Sequence, residues 1–201
     1  MKIGVLGGTF DPIHLGHIAA ARAALRCAHL DLILVMPSAS PPHRSGAVAS
    51  AQQRLDMCRL AVDGEPGLEV SDLEVVRGGD SYTVDTLEQL RRDHPDDDLY
   101  LILGWDAAAL FKTWHEPARV RQLASVVVVG RPGVPAPDPG QLSTAGLDVT
   151  RTIVCLDQTP DISGSALRHA IQSGGSIAGK LPRAVERYIA LHNLYSDNRD
   201  S

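Results

Sequence analysis

The sequence predicts an α/β fold in which a doubly wound parallel sheet carries helices on both faces and the chain ends in helix. Three observations predict it. Strand-like runs alternate with helical patterns, the runs are apolar throughout, and segments of unusual chemistry follow their carboxyl ends. Strands covered by helices on both sides read as continuous apolar runs, because neither face meets water. With 201 residues the chain is long enough for one such domain, spanning 1–201, to bury a proper core.

Each element has its own signal. Lys2–Leu6 is a short strand with β-branched Ile3 and Val5, and beyond it Ile18, Ala21 and Leu25 recur at helical spacing. "LDLILVMPS" (Leu30–Ser38), "LYLILG" (Leu99–Gly104), "SVVVVGRP" (Ser125–Pro132) and "RTIVCL" (Arg151–Leu156) read as further strands. Helical segments lie near Ala51–Val62, Val84–Arg92 and Pro117–Leu123. From Pro182 onward, Val185, Tyr188, Ile189 and His192 keep helical spacing, a closing helix assigned to packing rather than function. Ser38–Ser50 is rich in Ser, Pro, Gly and Ala and reads as a mobile loop. Gly130–Gly146 holds four prolines and four glycines and reads as a surface excursion. No internal repeat is present.

Composition narrows the class of function. Hydrophobic residues make up 44% and charged residues 21%, and the net charge of −5 argues against a nucleic-acid polymer or an anionic membrane as partner. Cys27, Cys58 and Cys155 are far apart and odd in number, matching neither a disulfide framework nor a zinc spacing. With no leader-like opening and no membrane-length apolar run, the expectation is a reducing, cytoplasmic setting.

The most informative stretch is "GGTFDPIHLGH", Gly7–His17. Gly7 and Gly8 are expected to give the turn unusual dihedrals and bring its amides near a ligand. His14 and His17, three apart, are expected on the opening turn of the following helix, whose N–H groups favour anions. Neither G-x-G-x-x-G nor G-x-x-x-x-G-K-[ST] is present. The pair could share a metal ion, though no third ligand lies nearby in sequence, or belong to an ordinary glycine turn. Other segments share the predicted rim. "PPHR" carries His43 and Arg44, whose guanidinium could fork onto a phosphate or remain a solvated charge. "GGDSYTVDTL" sets Ser81, Tyr82, Thr83 and Thr86 around a helix start, where Asp85 and Glu88 also suit a capping box. "GWDAAALFKTWH" puts Gly104 at a strand end, Asp106 where a carboxylate could take ribose hydroxyls, and Trp114 as a stacking ring or a core residue. "DISGSALRHAI" opens a helix with Ser163, Gly164 and Ser165 and sets Arg168 one turn in, a second phosphate site or a simple N-cap.

In this order the segments closely resemble the bacterial nicotinate-nucleotide adenylyltransferase family of the HxGH nucleotidyltransferase superfamily, essentially end to end. The resemblance implies a Rossmann-like fold and adenylyl transfer from ATP to nicotinate mononucleotide with Mg²⁺. The products would be nicotinate adenine dinucleotide and pyrophosphate, a step of NAD biosynthesis. It implies His14, His17 and Arg168 as catalytic residues. On the ATP side it implies Gly7, Gly8, Thr9, Phe10, Gly104, Asp106, Ile162, Ser163 and Ser165 beside those three. On the mononucleotide side it implies Gly8, Thr9, Ser38, His43, Arg44, Tyr82, Thr83 and Trp114, and it brings no dedicated metal ligand. Two departures stand out: Arg44 replaces the family's usual lysine, and "ISGSALR" replaces "ISSTxIR". Serine restored at Gly164 is expected to change ATP affinity little. The alternatives are phosphopantetheine adenylyltransferase, which usually has threonine where His14 stands, and a noncatalytic nucleotide sensor on the same fold. A homo-oligomer is left open.

Overall fold

A computed structural model describes residues 1–40, 47–157 and 159–196. In chain order the elements are β1 (Lys2–Gly8), α1 (Leu15–Cys27), β2 (Leu32–Pro37), α2 (Ala51–Val62), β3 (Leu68–Val70), α3 (Leu73–Arg77) and α4 (Thr83–Asp93). They continue as β4 (Asp98–Gly104), α5 (Trp105–Ala108), α6 (Pro117–Leu123), β5 (Ser125–Val129), α7 (Pro139–Thr144), β6 (Thr152–Cys155), α8 (Gly164–Gln172) and α9 (Arg183–Leu191).

Every pairing in the sheet is parallel, in the order β3-β2-β1-β4-β5-β6. This is the doubly wound Rossmann order, and its direction of progression reverses between β1 and β4. Ile3 stands opposite Leu32 of β2 and Leu99 of β4, so Gly8 and Gly104 end on the same edge, the one where doubly wound sheets bind their ligands.

Strand alternation sorts the apolar runs into two cores. Ile33 and Val35 of β2, Ile102 of β4, and Val127 and Val129 of β5 face one side, with Ile18, Ala21 and Ala24 of α1, Met57 and Cys58 of α2, Leu167 of α8, and Val185 and Ile189 of α9. Leu34, Met36, Leu101, Leu103, Val126 and Val128 face the other, against Val84, Leu87 and Leu90 of α4 and Val120 and Leu123 of α6. Apolarity at every strand position is thus explained by a helical layer on each side.

Four elements go beyond the sequence reading: β3, α7 and the short helices α3 and α5. β3 has only three residues, with Glu69 exposed at the sheet edge, so it offers no apolar run to detect. The expected excursion over Gly130–Gly146 contains α7. Asp138 caps it by accepting from Gln141 N–H at 2.8 Å, and Leu142, Ala145 and Leu147 are buried in the second core. The cysteine reading is also corrected. Cys27 and Cys155 are joined by a disulfide, because α1 packs across β5 and β6 and brings two residues 128 apart in sequence to a Cα separation of 5.8 Å. Cys58 is free and buried. Among the described residues no helix is long and apolar enough to cross a membrane.

Candidate active site

The exit of β1 shapes the site. Gly7 and Gly8 stay in the strand, opposite Met36 and Pro37, and neither takes a positive φ. The unusual backbone falls on Phe10 instead, at φ 50°, a left-handed conformation that a bulky residue adopts only when its surroundings hold it there. Its ring is buried and lies where a Cβ on Gly8 would fall, 2.9 Å from Cζ, so Gly8 gives room rather than flexibility. The ring then meets His17 edge-on, with centroids 4.9 Å apart.

His14 is the N-cap of α1 rather than part of its first turn, and its ring stacks on His17 at 3.6 Å between centroids. The His14 backbone N–H donates to His17 Nδ1 at 3.2 Å, which assigns the hydrogen of a neutral His17 ring to Nε2. Burial, helped by the Arg131 charge, pulls the His14 pKa down to about 4, so this ring is neutral at pH 7. Its buried Nδ1 has no hydrogen-bond partner among the described residues. The open helix terminus expected from the sequence is partly filled. Leu15 N–H donates to the Lys180 carbonyl at 3.0 Å, and His17 N–H to the His14 carbonyl at 2.9 Å. Side chains and the turn therefore carry more of the donor capacity than expected.

Asp11 links this turn to distant segments. Its carboxylate accepts from the N–H groups of Val48 and Ala49 at 2.8 and 3.1 Å and from the Tyr195 hydroxyl at 2.6 Å. Burial and that bond push the Tyr195 pKa up, keeping the phenol protonated as donor. The Asp11 carbonyl accepts from Arg168 Nη1 at 2.6 Å, which brings α8 to the turn. Ser163 caps α8 with Oγ 3.5 Å from Ala166 N–H and 2.8 Å from Ser165 Oγ, while Ile162 packs on the first core. A Cβ on Gly164 would lie 3.3 Å from the Asp11 carbonyl, the atom Arg168 holds. Serine there requires that carbonyl to give by a few tenths of an ångström.

The exit of β2 supplies the other wall. Ser38 N–H donates to the Gly8 carbonyl at 2.9 Å, and the buried Ser38 Oγ has no partner among the described residues. Ala39 N–H donates to Ser81 Oγ at 3.0 Å, tying β2 to the start of α4. Tyr82 is the N-cap of α4 with no side-chain cap bond, so the expected Asp85–Glu88 capping box is not the one used. Its ring tilts against His115 at 4.5 Å, which sets Tyr82 and Thr83 beside the Trp114–His115 segment. Trp114 is partly buried against the second core, 5.4 Å from the Phe111 ring, with the rest of its surface exposed. Thr86 is structural, donating to Glu74 Oε1 at 2.7 Å. At the exit of β4, Gly104 caps α5 and exposed Asp106 pairs with Arg131 at 2.9 Å. His43 and Arg44 lie outside the described residues. Among the described residues no three His, Cys, Asp or Glu side chains group as metal ligands.

Sequence reasoning missed Arg54, Arg131, Tyr195 and the Asp11 carboxylate. Only Arg54 left a trace, a charge spaced with Cys58 and Ala61 on the apolar face of α2.

The chain is similar to known proteins in sequence and in fold. The cytidylyltransferase-like family matches residues 5–170. A Thermus thermophilus protein named "Probable nicotinate-nucleotide adenylyltransferase" is 44% identical, covering 97% of this chain and 100% of its own. A protein of the same name from Hydrogenovibrio crunogenus is 40% identical over 96% of this chain and 97% of its own. The fold matches the Plasmodium falciparum nicotinic acid mononucleotide adenylyltransferase complexed with NaAD at a TM-score of 0.78 and 20% identity, covering 96% of this chain and 97% of that one. With these identities running over nearly the whole chain and the doubly wound sheet in place, the chain belongs to the nicotinate-nucleotide adenylyltransferases of the cytidylyltransferase-like family.

Proposed function

We propose that this chain transfers the adenylyl group of ATP to nicotinate mononucleotide, releasing pyrophosphate and forming nicotinate adenine dinucleotide. The observation that carries the reading is the stacked His14–His17 pair, which stands on the turn whose Asp11 carbonyl accepts from Arg168. A phosphate oxygen of the mononucleotide attacks the α-phosphorus of ATP and forms one P–O bond. The bond to the bridging oxygen breaks, and pyrophosphate leaves with the electron pair. The attacking oxygen is already ionised, so no side chain has to remove a proton. The work of the protein is alignment and stabilisation of charge, by His17, Arg168 and neutral His14.

Gly7, Gly8, Thr9 and Phe10 shape the turn that the triphosphate approaches. Gly104, Asp106, Ile162, Ser163 and Ser165 line the nucleoside and phosphate side. Ser38, Tyr82, Thr83 and Trp114 form the mononucleotide side with the turn, and the unpartnered Ser38 Oγ supports this. His43 and Arg44 are proposed on the sequence alone for that substrate's phosphate. Mg²⁺ enters as part of MgATP: histidines and a carbonyl-held arginine suit a metal carried by substrate phosphates better than a protein cage. Use of ATP and a mononucleotide supports a cytoplasmic reaction, and the net charge speaks against a nucleic-acid polymer as partner. The test is product analysis with ATP and either mononucleotide. The nicotinate form should be converted with the higher kcat/KM, because a carboxylate accepts from donors at the start of α4 that a carboxamide NH₂ opposes. Equal kcat/KM for the two forms overturns this pocket, and no dinucleotide from either overturns the reaction.

A further inference from the structure

Arg54 lies on α2 with 1% of its surface exposed, and it places its N–H groups on backbone. Nη1 donates to the Thr9 carbonyl at 2.7 Å, Nη2 to the Ala39 carbonyl at 3.0 Å and Nε to the Ala49 carbonyl at 3.3 Å. All three acceptors belong to irregular backbone, where no helix or ladder partner is on offer. Thr9 is in the turn after β1, Ala39 follows β2, and Ala49 precedes the N-cap of α2. Burying a charge is costly, and an apolar residue of similar volume usually serves a core as well or better. Core packing alone therefore does not account for an arginine here; three fixed carbonyls do.

Asp11 meets the same backbone from the other side. Its carboxylate holds the Val48 and Ala49 N–H groups, and its carbonyl holds Arg168. The residues between Thr9 and Asp11 are thus gripped at one end by Arg54 and at the other by contacts that reach α8.

We propose that Arg54 is a positioning residue for adenylyl transfer, fixing the Thr9–Asp11 turn against the exit of β2 so that His17 and Arg168 keep one relative geometry. The inference rests on the function proposed above. A planar fork sets three carbonyls at once, which a point charge on a flexible stem does not. Displacing a reacting group by about 1 Å costs on the order of 10²-fold in rate, so loosening this turn registers in kcat before it registers in binding.

The test compares Arg54→Lys and Arg54→Met with Arg59→Met, which removes an exposed arginine of the same helix that pairs with Asp72 at 3.2 Å. Pyrophosphate release is measured with MgATP and nicotinate mononucleotide, beside amide exchange of the resting chain. Arg54→Lys should lower kcat at least ~10-fold while the KM for ATP stays within about threefold. Exchange should accelerate in peptides covering 7–13 and 47–50, and not in β4 or β5. Arg59→Met should keep wild-type kcat. If Arg54→Met does not fold, Arg54→Lys decides alone. Wild-type kcat in Arg54→Lys, or faster exchange spread evenly through the fold, overturns the inference. A wild-type chain that releases no pyrophosphate overturns the adenylyl-transfer reading instead, and the exchange pattern then decides by itself whether Arg54 sets this turn.

Discussion

At the scale of single residues, His14 links the site to stability. Its pKa is about 4 in the folded chain, against about 6.5 for an exposed imidazole. Between those values the unfolded chain binds a proton that the folded chain refuses. The stability tied to a neutral His14 is therefore complete above about pH 6.5 and is lost as pH falls toward 4. The shift corresponds to about 3 kcal/mol in full, of which roughly 2–3 kcal/mol is lost by pH 4.5. Urea unfolding at pH 7.5 and pH 4.5 measures it, with His14→Asn as reference because that side chain does not titrate. The wild type should lose about 2–3 kcal/mol more than the variant over this interval. Equal losses would mean that His14 is not buried as a neutral ring. In the reaction proposed above, the same burial makes His14 a neutral hydrogen-bonding group at pH 7, so it brings no positive charge of its own.

At the scale of elements, α1 carries the two histidines at its start and Cys27 at its end, where a disulfide ties it to the end of β6. A bridge across 128 residues removes much of the freedom of the unfolded chain. In the chain-entropy model this is worth roughly 4–5 kcal/mol, with smaller values common in practice. Reduction by a dithiol should lower the Tm by about 5–15 °C. Thiol titration in denaturant should find only Cys58 before reduction and all three cysteines after it. In the folded protein Cys58 should stay silent, because burial pushes its thiol pKa up. Three reactive thiols in the unreduced, unfolded chain would remove the bridge. The bridge was hidden from sequence reasoning because it depends on how α1 crosses β5 and β6, whereas α2 and α6 were read with their observed limits from local spacing alone. β3 and α7 escaped for a related reason. A three-residue edge strand and a six-residue helix that starts at the last of four closely spaced prolines carry too little local pattern, and each is held by packing on other elements.

At the scale of the whole molecule, the candidate site lies where the strand order reverses, and its two halves rest on different layers. The residues legible in the sequence sit in contiguous motifs at strand ends. The contacts that join those motifs were not legible, since Asp11 meets Tyr195 across 184 residues and Arg168 across 157. His17 belongs to α1 on the first face, whereas Trp114 packs into the core of the second. If these halves hold different substrates, damage to each should appear in a different kinetic constant. His17→Ala should lower kcat by about 10²-fold, as for the loss of one preorganised donor to developing charge, with little change in either KM. Trp114→Ala should raise the KM for nicotinate mononucleotide at least ~10-fold through lost ring stacking and leave the KM for ATP within about twofold. Independent sites give additive free energies to within about 0.5 kcal/mol, so the double variant should lose kcat/KM for the mononucleotide by the product of the single losses, within about threefold. Steady-state kinetics of the four proteins with each substrate varied in turn supplies every constant. A Trp114→Ala protein whose ATP KM rises as far as its mononucleotide KM would show that the ring supports the whole crevice, and the division of substrates between the two layers would fall.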